Sequence, residues 1–154
     1  MKKIGLLVGL MGLAMAAQIN YFTLKDLSKY NGQDGQLPYV AINGMVYNVV
    51  SANGWVNGGY KGYLSGQDIN TFPELADSRK QIMQTAPVVG KLISSFTERQ
   101  VQKYNGKNGK PSYMGYGGVV YDVSQSASYK KYAGQCLQNI TIDVNGLPVI
   151  GQLL

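Results

Sequence analysis

The feature that most constrains this 154-residue chain is an internal repeat with an offset of 74 residues. Residues 22–50 align with residues 96–124 without a gap, and 12 of the 29 aligned positions are identical. Lys-Tyr-Asn-Gly, for example, stands at both 29–32 and 103–106. The ends also agree, because the segment at 86–92 returns in similar form at 147–153. The repeat therefore predicts a tandem duplication of one small unit.

Each unit has the same predicted local structure. Thr23 and Thr97 are expected to cap short helices over 24–29 and 98–103, which Asn-Gly pairs then end. Alternating apolar residues around Asn43-Gly44 and Gly117-Gly118 predict β-hairpins over 39–49 and 113–123. After the first hairpin we expect helices over 67–75 and 78–85. The fold class is therefore α+β, with two small modules of helix, hairpin and short helices.

Composition excludes several kinds of site. The chain has no histidine and a single cysteine, Cys136. Ser-His-Asp and Cys-His catalysis, His-ligated zinc, bis-histidine haem, an intrachain disulfide and a Cys₄ metal site are therefore excluded. Cys136 is interpreted as either a buried thiol or a partner for intermolecular pairing. No nucleophile–base pair or phosphate loop is visible either, so we do not expect an enzyme.

The N-terminus has the pattern of a secretory signal peptide. Lysines at 2 and 3 precede an apolar run over 4–17 that ends in small residues. A retained membrane anchor is the alternative, but that run is shorter than the ~20 apolar residues that span a bilayer. We therefore predict cleavage near residue 17 and an exported protein, periplasmic or extracellular, without a stable membrane span. The mature chain then has 12 basic and 8 acidic residues, and their scattered basic charge does not indicate nucleic-acid binding.

Residues 22–49 carry a family resemblance. Phe-Thr-x₃-Leu-x₂-Tyr-Asn-Gly, then Pro-Tyr-Val-Ala-x-Asn-Gly-x-Val-Tyr-x-Val, resembles the opening of a cytochrome b5-like haem- and steroid-binding domain. The resemblance implies a first domain over 20–93 and a second over 94–154. The second is abbreviated, since Tyr129 to Pro148 spans 19 positions whereas Tyr60 to Pro87 spans 27. These ranges are called the first unit and the second unit below.

The chain departs from the family at the haem ligands. Members that bind haem as cytochrome b5 does use two histidines; here the first falls on Tyr60 and the second near Ser78. The chain is therefore not expected to be a bis-histidine electron carrier.

The membrane-associated progesterone-receptor type is the branch whose pattern this chain matches best. It holds ferric haem through a tyrosine shortly before Ala-Gly-x-Asp, and this resemblance implies haem-iron ligation by Tyr60 and Tyr129. Gly66-Gln67-Asp68 comes one residue later than in that branch, and the second unit lacks the aspartate. A phenolate favours Fe(III).

The resemblance also indicates which side chains would surround the cofactor. Lys61 and Lys130 are expected to pair with haem propionates. The aromatic side chains of Trp55, Tyr63 and Tyr132 are expected to line the cavity. Simple packing is the alternative for all these aromatic residues, because tyrosines also suit half-buried loop positions.

Two functions remain open from the sequence. The first is an exported binding protein that holds ferric haem or another flat apolar molecule such as a sterol. The second is a cofactor-free structural or interaction module that self-associates or binds a protein partner, for which tandem units would raise avidity.

Overall fold

The computed structural model describes residues 18–154, so the predicted signal peptide at 1–17 lies outside the described residues. The first unit contains β1 (Tyr21–Phe22), α1 (Leu24–Leu27), β2 (Tyr39–Ile42), β3 (Met45–Asn48), β4 (Gly59–Tyr60), β5 (Tyr63–Leu64), β6 (Gln67–Asp68), a 3-10 helix (Pro73–Leu75), α2 (Ala76–Thr85) and β7 (Val88–Leu92). The second unit contains β8 (Ser94–Phe96), α3 (Glu98–Gln102), β9 (Tyr113–Tyr116), β10 (Val119–Asp122), a 3-10 helix (Lys130–Tyr132), β11 (Cys136–Leu137) and β12 (Val149–Leu153).

Two five-stranded sheets dominate the structure and have equivalent strand orders. One runs β1-β7-β3-β2-β6 and the other β8-β12-β10-β9-β11. In each sheet the first and last strands of the unit pair in parallel, and the hairpin strands pair antiparallel. Both sheets also have a register shift in the second hairpin strand, between Val46 and Tyr47 and between Val120 and Tyr121. The small hairpin β4–β5 forms a further two-stranded sheet in the first unit.

The opening helices begin where the sequence predicts. Thr23 caps α1 through the backbone N–H of Asp26, whose carboxylate accepts from the Thr23 backbone; Thr97 and Gln100 form the same capping box on α3. Both helices are shorter than predicted. In the first unit the N–H groups of Lys29 and Tyr30 bond three residues back rather than four, so the chain tightens before the Asn-Gly turn.

The hairpin predictions are confirmed at both places. Asn43 and Gly44 have φ values of 51° and 78°, and Gly117 and Gly118 have 59° and 79°. Positive φ at both central positions matches the right-handed twist of the flanking strands. The strands end at Asn48 and Asp122, one residue before the predicted limits.

The predicted helix over 67–75 is wrong. Gln67 and Asp68 form β6, which pairs in parallel with β2, and only residues 73–75 form a 3-10 turn before α2. Pro73 disfavours helical conformation in the residue before it. The Asp68 carboxylate also accepts from the Asn70 backbone N–H at 3.0 Å, which makes a local turn instead of a helix.

The two units have different hydrophobic cores. In the first unit one side of the sheet packs with α2, and the buried residues there are Val40, Ile42, Tyr47, Val49, Ala52, Trp55, Ile69, Leu75 and Ile82. The other side packs with α1 around Phe22, Leu27, Ala41 and Val46. The second unit has a smaller core around Met114, Tyr121 and Val123, against which partly buried residues of the loop over 138–148 pack. A loop thus takes the place of α2.

The structure also bears on the Cys136 thiol and on membrane-spanning helices. Cys136 is half-buried on β11, and its pKa is raised by burial and then by the charge of Glu98, so the thiol is protonated at neutral pH. Among residues 18–154, no helix is long and apolar enough to cross a bilayer.

Candidate functional site

Tyr60 lies on β4, opposite Tyr63 on β5. Its ring stacks on the indole of Trp55, with centroids 5.7 Å apart and planes 25° apart. The Nζ of Lys61 lies 5.3 Å from the centroid of the same ring, within cation–π distance. The turn between the strands places Lys61 at φ 48° and Gly62 at φ 85°. The structure therefore brings Trp55, Tyr60 and Lys61 into one cluster.

Trp55 connects this cluster to α2. The indole is 6% exposed, and its Nε1–H donates to the Ser78 hydroxyl at 3.0 Å. Ser78 is itself buried, on the first turn of α2. It lies near the position that the family resemblance assigns to a second histidine. The two positions expected to carry axial ligands are thus linked through Trp55, and the second holds a hydroxyl already used in a hydrogen bond.

Tyr63 belongs to a neighbouring contact. Its ring packs at 4.9 Å against Phe72, at 44°. Burial, and then the neighbouring Glu74 carboxylate, raise the pKa of the Tyr63 hydroxyl. The Tyr63 hydroxyl therefore stays protonated at neutral pH.

Ser65 is a feature of the site that the sequence analysis missed. It is 4% exposed, and its hydroxyl has no hydrogen-bond partner among the described residues. Its backbone N–H donates to Gly58 O at 2.7 Å, which places it beside the segment that leads to Tyr60. A buried hydroxyl without a partner costs about 1–3 kcal/mol and needs an explanation. The structure shows the corresponding residue of the second unit: Gly66 and Gly134 donate equivalent backbone hydrogen bonds to the carbonyls of Tyr39 and Tyr113, so Ala133 stands in place of Ser65.

The candidate residues of the second unit have a different setting. The Tyr129 hydroxyl donates to the backbone carbonyl of Asp143 at 2.6 Å, within the loop that replaces α2. The Tyr132 ring lies 6.4 Å from the Tyr129 ring and 5.0 Å from the Nζ of Lys131. Lys130 is exposed. The structure therefore groups Tyr129 with Tyr132, and it is Lys131 that lies over the Tyr132 ring.

Three solved structures provide the comparison with known proteins. A cytochrome b5 domain protein of Methanococcoides burtonii is 36% identical to this chain over 49% of this chain and 99% of its own, with a TM-score of 0.44. A cytochrome b5 domain protein of Hadesarchaea is also 36% identical, over 48% of this chain and 99% of its own, with a TM-score of 0.39. The sequence identity over nearly the full length of these proteins decides the assignment. The chain belongs to the cytochrome b5 domain family.

The match spans about half of this b5-like chain, which is the length of one unit. A hypothetical Arabidopsis thaliana protein described as having a cytochrome b5-like fold is 26% identical over 55% of this chain and all of its own, with a TM-score of 0.41. No protein-family model matches the chain, and no curated protein matches it significantly.

Cytochrome b5-like domains commonly bind haem, and the fit of the first unit to that group depends on the ligands it offers. Two axial histidines do not fit, because the chain has none, and Ser78, near the position that the resemblance gives to the second one, bonds to Trp55. The Tyr60 hydroxyl makes no hydrogen bond to any of residues 18–154, so a single tyrosine ligand is compatible with that position. The Tyr129 hydroxyl does not meet this condition, because it donates to the Asp143 carbonyl. The described residues also contain no cluster of three or more His, Cys, Asp or Glu suited to a metal ion.

Proposed function

We propose that this chain is an exported b5-like binding protein whose first unit holds a flat apolar ligand at Tyr60. Ferric haem is the leading ligand, and a sterol-like molecule is the other member of this class. The second unit is a structural module that lacks a ligand site. The observation that carries the proposal is the contrast between the Tyr60 hydroxyl, which no described residue binds, and the Tyr129 hydroxyl, which donates to Asp143 O at 2.6 Å.

Four side chains of the first unit would act on the ligand. Tyr60 would supply a phenolate oxygen to Fe(III), an anionic ligand suited to the ferric state. Trp55 fixes the Tyr60 ring by stacking, and the Lys61 ammonium would pair with a propionate. Ser65 has a buried hydroxyl free to hydrogen-bond a ligand. Haem, if bound there, would supply redox or small-molecule coordination chemistry.

Export is part of the proposal and rests on the N-terminal sequence. A positive start, an apolar run over 4–17 and small residues at its end are typical of a cleaved signal peptide. Expression with a natural secretion system, followed by N-terminal sequencing of the product, tests this. Mature protein beginning at about residue 18 is expected, and a product retaining residues 1–17 would contradict export by cleavage.

A hemin titration of residues 18–154 tests the ligand. We expect a shifted Soret band for the unsubstituted chain and a roughly tenfold or greater loss of affinity in Tyr60→Phe, because phenylalanine keeps the ring but lacks the oxygen. Tyr129→Phe is the matched control: its affinity should stay within about twofold, since Asp143 already occupies that hydroxyl. Equal losses in both variants, or a Soret band that does not change on protein addition, would contradict haem ligation by Tyr60.

A second candidate function has its own observation. Leu37 and Val50 are 46% and 60% exposed and line one shallow hollow of about 300 Å³ in the first unit. The equivalent residues of the second unit are Pro111 and Ser124. Exposed apolar side chains in one place favour contact with a protein partner. A cofactor-free interaction module predicts a colourless protein that self-associates or binds a partner, and that loses this association in Val50→Ser while its fold is retained.

A further inference from the structure

A cleft of about 580 Å³ lies between the two units. Tyr21 and the start of α1 form one wall, and the β9–β10 turn with β10 and β12 forms the other. The chain passes between the units through one residue, Ile93, which separates β7 from β8 and also lines the cleft. Small-molecule sites occupy about 300–1,000 Å³ and often lie at domain boundaries. The size and place of this cleft thus suit a ligand, and it contains none of the candidate haem residues.

The lining is apolar and aromatic with one negative charge. Ile93, Val119 and Val149 contribute apolar surface, and Tyr21 and Tyr121 contribute aromatic surface. Asp26 alone is charged among the described residues that line the cleft. A lining of this kind disfavours carboxylates and phosphates, because no cation within it would compensate their charge.

The Asp26 carboxylate is ionised at neutral pH and accessible. Its pKa is lowered by hydrogen bonds from Thr23 and then from Lys29. The Lys29 Nζ lies 3.0 Å from one carboxylate oxygen, but the two side chains are 64% and 39% exposed. Exposed ion pairs contribute little and can be shared with a second cation.

The repeat shows what is specific to this cleft. Capping in the second unit uses Gln100 in place of Asp26, with Gln100 Oε1 accepting from the Thr97 N–H at 2.7 Å. The charge on Asp26 is therefore not needed for the capping box. Strand pairing makes Tyr21 equivalent to Ser95, because Tyr21 pairs with Lys91 as Ser95 pairs with Gln152.

The same pairing makes Gln152, which lines the cleft, equivalent to Lys91. Each of these three cleft residues thus differs from its equivalent in the other unit. Tyr21 is aromatic whereas Ser95 is not, and Asp26 is negative whereas Gln100 is neutral. Gln152 is neutral whereas Lys91 is positive. The two units therefore differ in the direction that would favour a cation between them.

We propose that the cleft between the units binds a small organic cation, an ammonium group on an apolar body, with Asp26 as its counter-ion and the tyrosines against its surface. Carboxylates form strong charge-assisted hydrogen bonds with ammonium groups. Tyrosine faces attract cations through their ring quadrupole. Ile93, Val119 and Val149 contact the apolar body. This site is independent of Tyr60 and of haem.

Three probes that share one phenyl ring and a two-carbon chain test the proposal: phenethylammonium, 2-phenylethanol and phenylacetate. Binding to residues 18–154 is followed by NMR chemical-shift changes of backbone amides. We expect the ammonium probe to shift amides around Asp26, Ile93 and Gly118, to bind at least about tenfold more tightly than the alcohol, and the carboxylate not to bind.

The substitutions come from the repeat itself. Asp26→Gln installs the cap that the second unit uses, so the fold is retained. It should lower the affinity for the ammonium probe about tenfold and leave the affinity for the alcohol unchanged. Asp77→Asn is the control: it removes an acidic side chain of α2 outside the cleft lining and should leave the affinities for both probes unchanged. Equal affinities for the three probes, an unaltered ammonium affinity in Asp26→Gln, or the absence of amide shifts at millimolar probe would each overturn the proposal. None of these outcomes depends on hemin binding.

Discussion

The indole N–H of Trp55 donates a hydrogen bond to the hydroxyl of Ser78, 23 residues away on α2, at 3.0 Å. Both side chains are buried, so neither has ready access to water as a substitute partner. The bond fastens the loop that leads to Tyr60 onto the helix behind the sheet.

Ser78→Ala is expected to lower the free energy of unfolding by about 1–3 kcal/mol, because it leaves the buried Trp55 N–H without an acceptor. Urea unfolding followed by the fluorescence of Trp55, the one tryptophan of the chain, measures this. Ser128→Ala at an exposed position is the control and should change stability by less than about 0.5 kcal/mol. An equal effect of the two substitutions would show that the hydrogen bond contributes nothing.

Ser65→Ala should raise the free energy of unfolding, whereas Ser78→Ala lowers it, although Ser65 and Ser78 are both 4% exposed. The substitution removes a buried hydroxyl that has no partner among the described residues and installs the alanine that the second unit has at position 133. We expect a gain of about 1 kcal/mol in the ligand-free protein, measured by the same urea unfolding. The gain should shrink or reverse in the presence of a ligand that bonds to Ser65. A loss of stability in the ligand-free protein would contradict this account.

Gly58→Ala should be strongly destabilising because two loops of the first unit meet there. Gly58 has φ 74°, and an added Cβ would lie within 3 Å of the Asn31 carbonyl oxygen and the Gly32 Cα. Gly35→Ala is the matched control, with φ 80° and no atom within 4 Å of the added Cβ. The control should cost about 1 kcal/mol for positive φ alone, and Gly58→Ala at least about 2 kcal/mol more. Similar melting temperatures for the two variants would show that the loops do not meet so closely.

The stability of the chain should decrease at acid pH in part through Asp26. Hydrogen bonds from Thr23 and then Lys29 lower its pKa below the usual 3.8. A lowered pKa in the folded state stabilises the protein above the unfolded value and loses that contribution as the pH falls through the folded value. The difference in unfolding free energy between the unsubstituted chain and Asp26→Gln should therefore be constant above pH 5 and diminish below about pH 4. A difference that does not change between pH 5 and pH 2 would contradict the assignment.

Much of the local structure could be predicted from the sequence because its causes are local. Thr23 and Thr97 cap helices through residues three positions away, and Asn43-Gly44 turns a hairpin through its own φ values. The helix predicted over 67–75 failed for local reasons, Pro73 and the Asp68 turn, and for a non-local one: the backbone of Gln67 and Asp68 pairs with β2, which lies more than 20 residues earlier. Its hydrophobic pattern carries no sign of that partner.

The candidate site was predicted in part. Trp55, Tyr60 and Lys61 are within six residues of one another, and their side chains are in contact in the structure. Their ligand-binding roles stay predictions. Ser65 was missed, because whether a hydroxyl is buried and without a partner depends on atoms from other parts of the chain.

The sequence by itself determined the repeat, the caps, the hairpin turns and the absence of histidine, since each depends on residue type and short spacing. Only the tertiary structure decided how the two copies differ. The Tyr129 hydroxyl meets the Asp143 carbonyl because a loop takes the place of α2, whereas Trp55 reaches Ser78 because that helix is present in the first unit. The cleft between the units likewise arises only where β1 and α1 face β10 and β12. Similar sequences thus form different surroundings, because burial and hydrogen-bond partners depend on distant segments that the repeat does not share.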